Sequence, residues 1–212
     1  MSKISLKHSG GNVVSLNSPT NAPGSADVAF KLPNADGSAG QFMKTDGSGN
    51  LSFDAVSAGI TMADQWRINA SYNASSGNNI ISSNWERNDN NFALIGSGMT
   101  ESSGIFTFPT TGIYFIMAFT RFLHQSSFLQ YGGPVIYGST DSGSNYTALA
   151  DAFGHCGGAN FLAGAIAQTI FDVTNASTFR MKMHFECSST TNVTGSSGQN
   201  QTGITFIRLG DT

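Results

Sequence analysis

The sequence is poor in charge, because Asp, Glu, Lys and Arg make up only 11% of its 212 residues, against roughly 25% in an ordinary soluble domain. Ten basic and thirteen acidic residues give a net charge of -3, so the chain has no basic field that could hold a phosphate backbone. We therefore do not expect nucleic acid as a partner. The hydrophobic fraction is an ordinary 39% and includes 16 phenylalanines, which supply enough apolar area to drive collapse.

Cysteine and long apolar runs are also scarce. Cys156 and Cys187 are too few for a disulfide framework in a domain of this size. A single bridge between them and two reduced, buried thiols both stay open. No stretch approaches the roughly 18 to 20 apolar residues of a membrane helix, and no apolar run follows Lys3 and Lys7 as it would in a secretory leader. We expect neither membrane insertion nor secretion.

Motifs that carry chemistry are missing as well. The sequence has no G-x-S-x-G elbow, no phosphate loop ending in G-K-S/T and no H-E-x-x-H zinc helix. His155-Cys156 and His184 with Cys187 are zinc-ligand types, but residues i and i+3 of a strand point to opposite faces. Glycoside cleavage needs a pair of carboxylates, and no sequence pattern selects such a pair among four acids in the second half of the chain. Those acids are Asp141, Asp151, Asp172 and Glu186. We predict a non-enzymatic protein without cofactor or metal.

Composition changes near residue 58. In the first 50 residues the apolar side chains come singly or in pairs between Asn, Ser, Gly and Asp, so this segment cannot build a core alone. The triplet Asp36-Gly37-Ser38 recurs as Asp46-Gly47-Ser48 around the strand-length stretch 41–45, and Asp-Gly is favoured in tight hairpin turns. We predict an N-terminal arm over residues 1–58 with a small β-meander, which pairs with other copies or lies on a partner.

From about residue 60 the pattern favours β-structure throughout. Short apolar runs alternate with Gly, Ser, Asn and Thr turns at roughly the 8 to 12 residue spacing of a sandwich. Between Phe179 and Cys187 every second residue is apolar, which is typical of a strand with one dry face and one wet face. In the last strand, Ile204 and Phe206 are predicted on one side and Ile207 and Leu209 on the other.

The stretch from Ile113 to Phe119 is apolar on both faces. Antiparallel sheets normally keep one face in water, so the second face of this strand needs a cover, and we expect that cover to be another copy of the chain. The stretch from Phe161 to Ala167 supports the same interpretation, because its small residues would let another sheet approach. The alternative is that both stretches are central strands of two packed sheets.

The run from Gly104 to Ile116 resembles the G-x-F-x-x-P-x-x-G-x-Y-x-F signature of the complement-type globular heads, relatives of tumour necrosis factor. Ile116 stands where that family prefers Phe, and the closing stretch 205–210 is similar to its last strand. The resemblance covers about residues 62 to 212. It implies an all-β fold, an antiparallel jelly-roll sandwich that assembles as a homotrimer. The residues that it assigns to the core and the trimer are Phe106, Phe108, Pro109, Gly112, Tyr114, Ile116, Phe206 and Leu209.

The arm has a separate likeness. Its segment LPNADGSAGQFMKTDGSGNLSF is similar to a segment that recurs in fibre and other virion proteins of tailed bacteriophages. The residues expected to attach the arm are Leu32, Pro33, Phe42, Leu51 and Phe53. Together the two resemblances imply a virion protein that is assembled in the host cytoplasm. Its homotrimeric knob, residues 59–212, would be anchored by the arm to the major capsid or tail proteins of the same virion.

Several roles stay open under this interpretation. The protein could be a capsid decoration or cement protein, or a head fibre, or it could be a short tail fibre or tip that binds a host-surface glycan. The loop candidates for such binding are residues 130–141 and the polar stretch 188–201, and Tyr131, Tyr137 and Tyr146 could stack on sugar rings. A soluble ligand or lectin of the tumour-necrosis-factor type, acting outside a virion, is a further alternative.

Overall fold

A computed structural model describes residues 3–7, 9–11, 13–17, 21, 24, 29–55, 59–90, 94–126 and 128–212. Contacts divide the chain into two compact units, Met1–Ala58 and Gly59–Thr212, which we call the arm and the knob. All regular secondary structure in the described ranges is β-strand. Among these residues there is accordingly no helix with the length and apolar character needed to cross a membrane.

The arm contains two antiparallel hairpins. Their strands are β1 (Lys3–Lys7), β2 (Val13–Asn17), β3 (Gln41–Thr45) and β4 (Leu51–Ala55). In the turn between β3 and β4, an Asp46 carboxylate oxygen accepts the backbone N–H groups of Ser48 and Asn50 at 2.8 and 3.1 Å. Gly47 has a φ of 79°, a conformation that costs little free energy only in a residue without a Cβ. The second Asp-Gly-Ser triplet therefore forms a hairpin turn, as the sequence predicts.

The knob is built from fourteen strands among its described residues, arranged in two sheets. These strands are β5 (Met62–Ile68), β6 (Ala70–Ala74), β7 (Gly77–Ile80), β8 (Trp85–Arg87), β9 (Thr100–Ser102), β10 (Ile105–Thr107), β11 (Gly112–His124), β12 (Leu129–Ser139), β13 (Thr147–Asp151), β14 (Gly154–Cys156), β15 (Phe161–Val173), β16 (Arg180–Cys187), β17 (Thr191–Ser196) and β18 (Gly203–Gly210).

The two sheets pack face to face as an antiparallel sandwich. One, the β16 sheet, has the order β13-β12-β16-β10-β9, with β14 paired to β12 and β7 paired to β16. The other, the β11 sheet, has the order β6-β17-β11-β18-β5-β8, with β15 paired to β11. The late strand β18 lies between β11 and the early strand β5, and such long crossovers are typical of a jelly roll. The predicted all-β, antiparallel jelly-roll sandwich is confirmed.

The core lies between the inner faces of these sheets. On β16, Met181, Met183, Phe185 and Cys187 are completely buried, and the residues between them are partly exposed. Burial of a large apolar side chain contributes roughly 1.5 to 3 kcal/mol. The predicted alternation of this strand is confirmed. The same is true of β18, where Ile204 and Phe206 face the core and Leu209 is exposed.

A buried carboxylate ties β5 to β8 and to the segment before β9. Asp64 has no solvent-exposed surface. It accepts hydrogen bonds from Arg87 Nε at 3.0 Å, from Trp66 Nε1 at 2.9 Å and from the backbone N–H of Met99 at 2.8 Å. The Arg87 guanidinium also lies 4.5 Å from the Trp66 ring centroid. Pairing and hydrogen bonding of this kind make a buried charge tolerable.

Candidate interaction surfaces

The long strand β11 separates two apolar sets of side chains. Tyr114, Ile116 and Phe122 face the core and are completely buried. The intervening positions from 113 to 123 are only half-buried and lie on the outer face of the sheet. The doubly apolar strand predicted from the sequence is thus real, and its second apolar set faces away from the sandwich.

Strand β15 extends this outer apolar surface. In the antiparallel register Phe115 lies opposite Ile170, and Phe119 lies opposite Ile166. Ile166 and Ile170 are 58% and 64% exposed. We call the surface the apolar face. Its residues are Ile113, Phe115, Met117, Phe119, Leu123, Leu162, Ile166, Ile170, Ile207 and Leu209. A contiguous surface of this kind marks an interaction site more often than it is tolerated on a monomer.

Five residues of the sequence signature lie in the core rather than on this face. Phe106, Phe108, Tyr114, Ile116 and Phe206 are all at most 3% exposed. The four aromatic rings of this set pack on one another, with 5.2 Å between the centroids of Phe106 and Phe206 and 4.9 Å between those of Phe108 and Tyr114.

The remaining signature residues have other roles. Pro109 is half-buried, and Leu209 belongs to the apolar face. Gly112 has a φ of 145°, and a Cβ there would come 2.6 Å from the carbonyl oxygen of Gly210, so a glycine is required. Two residues on, the Tyr114 hydroxyl donates to the Thr110 carbonyl at 2.9 Å. The signature residues therefore fix the backbone where β11 begins. The side chains that a second copy could contact are instead those at the odd-numbered positions of β11.

Sequence reasoning missed Phe115, Ile166 and Ile170 as individual site residues, although it singled out stretches that contain the first two. The signal that could have found them is the alternation of side chains between the two faces of a strand. Once Tyr114 is placed in the core, Phe115 must face outward. The pairing of β11 with β15 then brings Ile170 beside it.

On the opposite side of the sandwich, two of the three predicted ligand-binding tyrosines lie around one lysine. The Lys182 ammonium is 4.0 Å from the Tyr146 ring centroid and 5.5 Å from that of Tyr137. Tyr131 is separate and packs edge-on against Phe153, with 5.4 Å between the centroids. Lys182 covers part of the aromatic surface that a sugar would use, so stacking on these tyrosines stays a prediction.

A hydrogen-bonded group continues this surface along β16. The Asn78 amide nitrogen donates to the Tyr137 hydroxyl at 2.7 Å and to a Glu186 carboxylate oxygen at 3.3 Å. Its amide oxygen accepts from His184 Nδ1, whose ring centroid is 4.5 Å from that of Tyr137. Burial, assisted by the charge of Lys182, lowers the pKa of His184 to about 4, so the ring is neutral at pH 7.

The metal-ligand types of the sequence do not converge. His155 is exposed and Cys156 is buried, while His184 and Cys187 point to opposite faces of β16. No group of three or more His, Cys, Asp or Glu residues in the described ranges could hold a metal ion. Cys156 and Cys187 are free thiols, and burial raises the pKa of each.

The four acids of the second half of the chain are also dispersed. Asp172 lies on the outer side of β15, and Glu186 lies on the outer side of β16, in the other sheet. Asp141 holds its own turn by accepting from the backbone and side chain of Asn145 at 2.9 and 2.7 Å, and Asp151 is exposed at the end of β13. The carboxylate pair of a glycosidase is therefore not formed by Asp172 and Glu186.

In the arm, four of the five predicted attachment residues line a cleft of about 540 Å³. Leu32, Pro33, Leu51 and Phe53 line it, and Phe42 is 46% exposed on β3. Two backbone hydrogen bonds fix one wall of the cleft: Lys31 donates to the Gly49 carbonyl at 2.8 Å and accepts from Leu51 at 2.9 Å. The arm therefore presents apolar side chains that its two hairpins leave uncovered.

No protein-family model matches this sequence, and no curated protein matches it significantly. Solved structures are similar in fold. The structure of Eiger TNF from S. frugiperda superposes with a TM-score of 0.58 at 11% identity, over 73% of this chain and 96% of that one. Murine APRIL at pH 8.0 gives a TM-score of 0.49 at 13% identity, over 70% and 98% of the two chains. The fold assignment rests on the first of these: the chain has a jelly-roll fold of the tumour-necrosis-factor type.

Proposed function

We propose that this protein is a non-enzymatic structural component of a tailed-bacteriophage particle. In this proposal the knob forms a homotrimer, and the arm attaches it to the shell as a capsid decoration protein or head fibre. The observation that carries the proposal is the apolar face, because it gives the knob a reason to associate with copies of itself. The expectation of three copies comes from the resemblance of the signature run, and the assignment to a phage particle comes from the resemblance of the arm segment.

The apolar face carries exposed area whose burial would favour an assembly. Leu162, Ile166 and Ile170 keep more than half of their surface in water in the single chain. Covering each of them would contribute about 1 kcal/mol. Charge is sparse along the β11–β15 ladder, where Arg121 and Asp172 lie near opposite ends, so another copy can cover the middle of the face without desolvating a charge.

Light scattering of the full chain tests the assembly. We expect a mass three times the 22.2 kDa of one chain and expect Ile170→Asp to give a folded monomer, because a carboxylate in the interface would be desolvated without a partner. The matched control is Ile80→Asp, at an exposed position on the outer side of the β16 sheet, which should stay trimeric. A wild-type monomer, or an unaffected Ile170→Asp trimer, would contradict the assignment of the face.

Gold labelling of intact particles with an antibody against the folded knob tests the location. Label distributed over the head supports a decoration protein or head fibre. Label confined to the tail would replace that role by the second candidate, a short tail fibre or tip that binds a host-surface glycan. The observation that favours this candidate is the aromatic surface around Tyr137, Tyr146 and Lys182.

Absence of label from particles, together with free trimer in solution, would overturn the virion proposal. The remaining role would then be a soluble ligand or lectin, and the likeness of the fold to Eiger TNF would be the starting point for testing it.

A further inference from the structure

A polar cleft of about 350 Å³ opens at the end of β5, away from the tyrosine surface. Its walls come from three separate parts of the chain. They are formed by Gln65, Arg67, Asn88, Asn90, Gly198, Gln199 and Asn200. Two hydrogen bonds hold the walls together: Asn90 donates to the Ser197 carbonyl at 3.1 Å, and Asn200 donates to the Gln65 amide oxygen at 2.6 Å.

A buried arginine lies in the wall of this cleft. Arg67 is 1% exposed. Its terminal nitrogens donate to Asn88 at 2.9 Å, to Asp89 at 2.6 Å and to Glu86 at 3.4 Å. Its Nε is buried and meets no acceptor among the residues that the structure describes. With so little exposed surface, Arg67 is a fixed part of the wall, and the polar groups that a ligand can reach are the exposed ones at the rim.

The charges around the cleft select against ions. Arg67 already pairs with the two carboxylates of Glu86 and Asp89, so its charge is not free to attract an anion. A cation would instead meet the guanidinium. No cluster of three potential metal ligands occurs in the described ranges. The ligand that fits is electrically neutral.

The rest of the lining consists largely of side-chain amides. The amides of Asn90, Gln199 and Asn200 are exposed at the rim, and each offers a donor and an acceptor. Hydroxyl groups match such a lining because each of them also donates and accepts. The volume is at the lower end of the roughly 300 to 1,000 Å³ of small-molecule sites, which suits one or two sugar rings.

We propose that this cleft is a saccharide-binding site for neutral, hydroxyl-rich sugars. The amides of Gln199 and Asn200 bind hydroxyl groups at its rim, and Arg67 fixes part of its wall. The proposal depends neither on the virion assignment nor on the homotrimer, and it uses none of the three tyrosines.

Saturation-transfer NMR on the full chain tests it. The probes are methyl glucoside, methyl galactoside, methyl mannoside, lactose and maltose, with glucuronate as a charged comparison. We expect at least one neutral sugar to receive signal and expect Gln199→Ala combined with Asn200→Ala to weaken its binding by about tenfold or more, as loss of rim hydrogen bonds predicts. Asn200→Ala also removes the hydrogen bond to Gln65, so the melting temperature of the double variant is measured alongside. Gln199→Ala alone, at an exposed position outside that hydrogen bond, should weaken binding at the wild-type melting temperature. Gln125→Ala, an exposed amide just after β11 and outside both candidate loops, should bind like wild type.

Three results would overturn the proposal: no neutral sugar in the panel receives signal, the rim variant binds as well as wild type, or glucuronate binds better than every neutral sugar. If sugars fail to bind and the rim variant also dissociates the assembly in light scattering, the cleft is instead part of a contact between copies.

Discussion

The protonation state of the His184 side chain affects the stability of the knob. The unfolded imidazole titrates near pH 6.5, whereas burial lowers the pKa in the folded knob to about 4. Between these two values the unfolded chain binds a proton that the folded chain does not. Stability is therefore fully present above about pH 6.5 and falls as the pH falls toward 4.

We expect this residue to account for roughly 1 to 2 kcal/mol of stability lost between pH 7 and pH 4, less than the full shift implies because the ring is partly screened by solvent. Urea unfolding followed by tryptophan fluorescence measures it, since Trp66 and Trp85 both lie in the knob. His184→Gln should lose this part of the pH dependence, and the exposed His155→Gln should keep it. Equal slopes for the two variants would mean that His184 is not the titrating group.

At the scale of the element, the β9–β10 hairpin depends on its two-residue turn. Ser103 and Gly104 have φ values of 53° and 81°, the combination of a type I′ turn. The backbone of the segment after β7 lies close by, and a Cβ on Gly104 would come 2.9 Å from the Cα of Ser82. The hairpin places Phe106 in the core, so the packing of the core also depends on this turn.

Gly104→Ala should therefore destabilise the knob by about 1 to 3 kcal/mol, because the new methyl group adds both a strained φ and a backbone clash. Urea unfolding midpoints measure the loss. Gly157→Ala is the control, since a Cβ at Gly157 meets nothing within 4 Å, and its midpoint should stay close to wild type. A Gly104→Ala midpoint equal to that of the control would show that the turn adapts.

Strands with a single apolar face could be predicted from the sequence residue by residue. On β16 the charged residues between Met181 and Cys187 leave only one set of side chains that can face the core. On β11 both sets are apolar, so alternation alone does not decide which is inside. That choice is made by contacts distant in sequence, such as the packing of Phe122 on Phe185 and the approach of Gly210 to Gly112.

The cleft around Arg67 could not be predicted at all. Its walls come from residues 65–67, 88–90 and 198–200, which meet because β5 pairs with both β18 and β8. Local patterns do not specify such pairings. The polar stretch 188–201 stood out as a candidate loop by composition, but nothing in it indicated a buried arginine as its partner.

For the whole molecule, association and folding should be thermodynamically linked. If copies bind through the apolar face only when folded, the melting temperature of the full chain rises with protein concentration. Over a hundredfold range we expect a rise of about several degrees, as a few kcal/mol of coupling implies for a domain of this size. Calorimetry at two concentrations measures it, and Ile170→Asp should remove the dependence. Identical wild-type melting temperatures would contradict the linkage.

The position of β18 also determines when the molecule can form during its synthesis. Until residues 203–210 have left the ribosome, β5 and β11 each have an open edge where β18 belongs, and open edges invite wrong pairing. The same strand supplies Ile207 and Leu209 to the apolar face. Nascent chains on one polysome therefore present an incomplete apolar face to each other until residues 203–210 have emerged, and assembly through that face can begin only after that point.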